Sequence, residues 1–250
     1  MTMKKTFLIF TILAIFCLWL SGHANAATYS CVHSNDDTVG MKNMAGAAYD
    51  VNSYTLAYTG FGRWASPNNQ QRHAFIRYIL DIPRASKVTA SKITSTAQAT
   101  NSIVFNTTIY GGVLSGSPAW KDGNGLSTTN YANCTALLTI ALRATSIAWN
   151  SVAAWTAESE YDTPSLNAII QEFFDDYSYD PMSATDKYVL IKFDDGDGDY
   201  TTLKTRNPYA YDNGSKDTVL TITSEPWGEI RTANGMKYDS VSGEMKYYDY

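Results

Sequence analysis

Histidine, cysteine and basic residues are all in short supply in this chain, and each shortage removes a class of function. Of the three histidines, only His33 and His73 lie beyond the N-terminal leader, and no H-E-x-x-H, G-x-S-x-G or P-loop pattern occurs anywhere. His73 follows Arg72 at the head of a strand-like run and reads as a structural histidine. With 19 basic against 24 acidic residues and a net charge of −5, the chain has no electrostatic footprint for nucleic acid or an anionic membrane surface. Long apolar runs are limited to 7–20, behind Lys4 and Lys5 and ahead of Ala24-Asn25-Ala26. That is the layout of a secretory signal peptide over 1–26, with cleavage expected after Ala26, and such a run is too short for a good membrane span.

Cleavage removes Lys4, Lys5 and Cys17 and takes the net charge to −7. The product is then secreted, surface-borne or periplasmic, with no membrane span. The remaining cysteines, Cys31 and Cys134, can form one intramolecular disulfide in an oxidising compartment, or stay as two buried thiols.

Strand patterns dominate what is left. The densest run covers 73–82 (HAFIRYILDI) and ends at Pro83; others are expected over 51–58, 87–96, 102–114, 136–144, 146–150, 188–193, 201–206 and 218–223. Gly-, Pro- and Asn-rich turns separate them, including 59–71 (TGFGRWASPNNQQ), 115–124 and 194–199. One helix is expected, over 163–176. Thr163 or Asp162 can cap it, Pro164 suits its first turn, and Leu166, Ile169, Ile170, Phe173 and Phe174 share a face, with Gln171, Glu172 and Asp175 opposite. Many short strands and one helix make a β-sandwich or closed barrel over 27–224 the expected all-β fold. Beyond it, 225–250 carries two similar runs, Met236-Lys237-Tyr238-Asp239 and Met245-Lys246-Tyr247, around Gly243, which predict a hairpin-like tail. An exposed Tyr-rich hairpin is a candidate site of self-assembly or of contact with a surface protein.

Candidate ligand groups lie on loops. Trp64 with Arg63 and Asn68, Trp120 with Lys121 and Asp122, and Tyr209 with Tyr211 place aromatic rings beside hydroxyl-reading side chains, as glycan binding requires; packing over the end of the sandwich explains the same residues. Trp149 and Trp155, beside the helix, read as core. Asp195, Asp197 and Asp199 have the alternate spacing that opens a calcium loop. Tyr200 stands where that loop needs glycine and Arg206 where it needs glutamate, and an Asp-Gly hairpin turn accounts for the same letters. Asp36-Asp37 is a second candidate for calcium. Glu158, Glu160 and Glu172 could contain an acid and base for glycoside hydrolysis, but their placement on one turn and on the polar helix face reads as solvated carboxylates.

Taken in order, Asp36-Asp37, Ile76-Arg77-Tyr78, Asp81-Ile82-Pro83, Val88-Thr89-Ala90 with Ile93, the tryptophan strand, the helix T-P-x-L-x-x-I-I-Q-E from Thr163, and the closing L-T-I-T from Leu220 resemble DNRLRE-type jelly-roll domains, similar to carbohydrate-binding module family 96. The resemblance spans about residues 34–223. It implies a jelly-roll sandwich and a non-catalytic module that binds polysaccharide or a cell-surface glycan, with structural calcium as a further expectation. A structural or adhesive surface or phage-particle protein is the alternative.

Overall fold

The computed structural model describes residues 24–32, 37–43, 49–50, 59–64, 70–84, 86–114, 137–176, 178–183, 186–194, 203–211, 216–226, 230–231, 236–239 and 244–247. They form an all-β sandwich of two antiparallel sheets. The smaller sheet has the order β1 (Asn25–Tyr29), β12 (Val219–Pro226), β6 (Ser86–Thr96), β9 (Glu160–Asp162). The larger, of eight strands, is built on β5 (Gln70–Ile79). One side of β5 takes β2 (Asp37–Asn43), which pairs in turn with β3 (Tyr49–Asp50). β2 pairs with 70–76, and on the other side of β5 β4 (Phe61–Trp64) takes 70–72 and β10 (Tyr188–Phe193) takes 74–79, one after the other. From β10 the sheet continues through β7 (Phe105–Gly112) to β8 (Leu142–Val152), and β4 pairs outward with β11 (Lys204–Arg206).

Alternation along the strands puts the core between the sheets. Ala74, Ile76, Tyr78 and Leu80 of the β5 run, Val189, Ile191 and Phe193 of β10, and Phe105 and Ile109 of β7 meet Val88 and Ile93 of β6 and Leu220 and Ile222 of β12. Each large side chain taken fully out of water there contributes roughly 1.5–3 kcal/mol. β10 is buried at all six positions. Its second face has its own cluster, Phe75, Leu114, Leu137, Tyr188 and Leu190, with Leu138 and Ile140 against it. A strand buried on both faces shows no alternation, as the sequence YVLIKF does not.

The helix, α1 (Asn167–Asp175), presents Ile169, Ile170, Phe173 and Phe174 to the core, the face its periodicity specifies. Its start corrects the sequence expectation. Leu166 occupies the N-cap with no side-chain cap bond, because Thr163 and Asp162 are used elsewhere. Thr163 exchanges hydrogen bonds with the backbone of Ile93, its amide donating to the carbonyl (2.9 Å) and its hydroxyl accepting from the amide (3.0 Å). Asp162 accepts from Lys92 Nζ (2.6 Å) and Thr94 Oγ1 (2.6 Å).

Three further stretches differ from their sequence reading. The run 136–144 is not one strand: a helical turn falls at 137–139 and β8 starts at Leu142. The two tryptophans beside the helix also part company, Trp155 being buried and Trp149 only partly so, both against the core. The segment 59–71 contains a strand, β4, because Gly62 at φ +109° lets the carbonyl of Lys204 approach to 2.0 Å of where a Cβ would stand. The glycines there serve strand contact rather than a turn.

Arg206 is fully buried and donates to the carbonyls of Ala153 (2.9 Å), Thr205 (2.8 Å), Ile103 (2.7 Å) and Val152 (3.1 Å), with Phe105 and Trp155 flanking its guanidinium. Burial pushes its pKa down to about 10. It fastens β11 to the segments entering β7 and leaving β8.

Outside the sandwich, β13 (Ile230–Arg231), β14 (Met236–Asp239) and β15 (Glu244–Tyr247) form a separate three-stranded sheet. The expected hairpin is its β14–β15 pair, with Met236 opposite Tyr247 and Asp239 opposite Glu244. Among the described residues no helix is long and apolar enough to cross a membrane.

Candidate functional site

The end of β6 is clamped from both sides. On one side Ala97 donates to the carbonyl of Ser159 (2.9 Å), and Glu158 donates to the carbonyl of Ala97 (2.8 Å). On the other, Tyr209 donates to the carbonyl of Thr96 (2.9 Å), and Gln98 to that of Asn207 (2.8 Å). The short segment 96–98 therefore fixes Glu158 and Tyr209 relative to one another although they are far apart in sequence. Glu158 sits at φ +67°, unusual for a residue with a side chain. Thr218 Oγ1 adds a hydrogen bond to the carbonyl of Tyr209 (3.2 Å).

This scaffold brings three side chains together. Tyr209 Oη donates to Glu158 Oε1 at 2.6 Å, Lys216 Nζ donates to the other oxygen of Glu158, and the ammonium stands 4.9 Å from the centre of the Tyr209 ring. Each partner shifts the others. Lys216 first, then Tyr209, hold the Glu158 carboxyl below its ordinary value, while Glu158 raises both the Tyr209 hydroxyl and the Lys216 ammonium. The result is a half-exposed aromatic ring with a charged acceptor and a charged donor beside it, mounted on pinned backbone. Tyr209 was legible as a ligand candidate; Glu158 was read only as one of three solvated carboxylates and Lys216 not at all, since nothing in the letters links Glu158 to a residue over 50 positions away.

The other sequence candidates are placed differently. Arg63 is on β4 and only 4% exposed, not on an open loop. Trp64 ends the same strand opposite Gln70. Tyr211 is half-buried against the core, its amide held by Asp37 Oδ2 at 2.8 Å, so it does not share the Tyr209 cluster. Trp120, Asp122, Asp195, Asp197, Asp199, Asp36 and Cys134 lie outside the described residues. His73 is buried with Nδ1 2.7 Å from Asp194 Oδ1, the place of a structural ion pair. Glu172 is not simply solvated, as its two oxygens accept the amides of Ala144 (3.0 Å) and Thr145 (2.9 Å).

One group among the described residues has the composition of a metal-ligand set. Cys31 Sγ and carboxylate oxygens of Asp37 and Asp217 lie within 4.8 Å of one another, close to the buried Tyr78, whose hydroxyl is pushed up by burial and then by these same groups. A thiol with two carboxylates suits a borderline ion such as zinc better than calcium, which takes oxygen ligands. Asp37 is committed to the amide of Tyr211, and no disulfide occurs among the described residues. A search of protein-family models and of curated proteins finds no match to this chain.

Proposed function

We propose that the protein is an exported, non-catalytic module that binds polysaccharide or a cell-surface glycan through the Tyr209 cluster. The observation that carries this reading is the half-exposed Tyr209 side chain, held by Glu158 and Lys216 on backbone fixed from both sides. A sugar has an apolar face and a rim of hydroxyls. The exposed part of the ring can meet the apolar face, and the charged pair can accept from and donate to hydroxyls. Pinned backbone lowers the ordering cost of binding. The β-sandwich agrees with the resemblance to DNRLRE-type jelly-roll domains, and within this proposal the jelly-roll order is the finer form of that fold. In this reading Trp64, Trp120 and Asp122 stay as further ligand candidates taken from the sequence, and calcium at Asp195, Asp197 and Asp199 has a structural role.

The test is a binding titration of the chain from Ala27 onward against a panel of polysaccharides, with calcium and again after chelation. Tyr209→Ala is expected to weaken saturable binding by about tenfold or more, equivalent to about 1.4 kcal/mol, without altering the circular dichroism spectrum. Binding that survives this change undiminished would remove the site, and a folded protein with no glycan binding would remove the reading. In that event the alternative, a structural or adhesive surface protein, gains from the separate sheet β13–β15, whose edges can take up partner strands.

A further inference from the structure

The edge strand β8 is guarded along part of its length and open along the rest. It runs for 11 residues at the margin of the larger sheet, and among the described residues it pairs only with β7. Toward its start the register shifts between Tyr110 and Gly112, which looks onto a bulge at 143–145. There Glu172 covers the amides of Ala144 and Thr145. Toward its end the register shifts again, between Phe105 and Thr107, leaving a bulge at 150–151, where Ser151 at φ +55° ends the extended run and its amide donates to Asn106 Oδ1 of β7 at 2.8 Å. Between the two bulges the ladder is regular over 146–149, and the window 146–150, SIAWN, has Ser146, Ala148 and Asn150 exposed and Ile147 and Trp149 half-buried.

This window carries none of the devices that keep edges apart: no lysine, no proline and no charge of either sign. Exposed apolar side chains gather at its ends, Leu142 (37%) at the start of β8 and Ile103 (36%) and Val104 (52%) ahead of β7.

We propose that this edge seats a second copy of the same chain, β8 against β8, antiparallel about Ala148. The window is complementary to itself. A two-fold axis at Ala148 sets Ile147 of each copy opposite Trp149 of the other, an aromatic and β-branched pair of the favourable cross-strand kind. It sets Ser146 opposite Asn150, two polar side chains able to hydrogen-bond, and it leaves the small Ala148 facing its own copy. A symmetric antiparallel register works whichever alternate residues turn their backbone groups outward. Charge selects the partner too: two copies of a chain with net charge −5 repel in general, and an uncharged edge is where they meet without that opposition. The pairing joins two large sheets into one and gives the assembly two copies of any ligand site. It stands independently of the glycan reading.

Sedimentation of the chain from Ala27 onward, from low to high micromolar concentration, tests this. A reversible dimer is expected, with Ala148→Lys weakening association by about tenfold or more because it sets two ammonium groups against each other at the axis. The complementary variant is Ala148→Cys. Opposed Cα atoms lie about 4.5–5.5 Å apart in such a pair, within disulfide reach, so mild oxidation should cross-link it while Asn150→Cys and the unaltered chain stay uncross-linked. A monomer at every concentration with no cross-link through Ala148→Cys would overturn the proposal, as would a dimer that cross-links no better through Ala148→Cys than through Asn150→Cys.

Discussion

Gln171 and Glu172 are adjacent on the polar face of α1, and each completes the backbone bonding of a different sheet. Gln171 accepts from the amide of Val88 (2.8 Å) and donates to the carbonyl of Ser86 (3.1 Å), as a neighbouring strand would. Glu172 does half of the same for β8, taking two amides on one carboxylate. Burial works against ionisation of Glu172, but the amides of Thr145 and Ala144 together with Arg143 outweigh it and hold the carboxyl below its ordinary value. A carboxyl whose folded pKa is depressed contributes its full stability above the unfolded value of about 4.3 and loses it as pH falls through the folded one. Glu172→Gln, which keeps the shape and one acceptor, should therefore cost about 1 kcal/mol at neutral pH, measured by urea unfolding. The difference from the unaltered protein should shrink toward zero under acid, where the protonated glutamate resembles glutamine. A difference that stays constant with pH would mean that the carboxylate charge is not what holds the bulge. The letters Q and E at these positions show only a polar face, because their partners lie up to 85 residues away.

At the scale of elements, local periodicity was a good guide and chain ends were not. The buried face of α1 and the strands β6 and β12 follow from the spacing of their apolar residues, which decides which side chains leave water, and β5 and β10 from runs dense in β-branched and aromatic residues. The helix start was misread because Thr163 binds a neighbouring strand instead of its own helix, a choice set by tertiary contact rather than by capping preference. Strand β4 was hidden because Gly60 ahead of it and Gly62 within it carry the same letters as a turn. That ambiguity has a direct test in Gly62→Ala. An alanine there must hold φ +109° and place its Cβ 2.0 Å from the carbonyl of Lys204, so it should separate β11 from β4 and destabilise the protein by about 3 kcal/mol or more, read by denaturant unfolding. A turn glycine open to solvent would cost far less, and a loss below about 1 kcal/mol would restore the turn reading. The candidate site was half legible for the same reason: an aromatic in a Pro- and Asn-rich loop is visible in sequence, whereas a glutamate and a lysine brought to it by the fold are not.

In the molecule as a whole the two ends of the sandwich sequence close on each other. β1 lies beside β12, with Ala27 opposite Ile222, Thr28 opposite Thr221 and Tyr29 opposite Leu220. Tyr29 packs against the main core and donates to Asp81 Oδ1 at 2.7 Å, its hydroxyl held well above the ordinary value by burial and then by Asp81. Cys31 and Asp37 meet Asp217 just beyond. This arrangement bears on the signal-peptide cut expected after Ala26, which falls inside the strand. It takes away only Asn25 and Ala26, both exposed, and leaves the three rungs that anchor the smaller sheet's edge. A chain beginning at Ala27 should therefore melt within a degree or so of one beginning at Asn25, each lost residue being a solvent-facing strand end. Starting instead at Ser30 removes Tyr29, whose partial burial is worth about 2 kcal/mol, and exposes the backbone of 220–222 as a new edge. For a domain of this size that loss lowers the melting temperature by roughly 4–8 °C. Equal melting of all three chains would show that β1 adds nothing to the sandwich; the expected drop on starting at Ser30 would show that the strand residues from Ala27 to Tyr29 hold the edge of the smaller sheet.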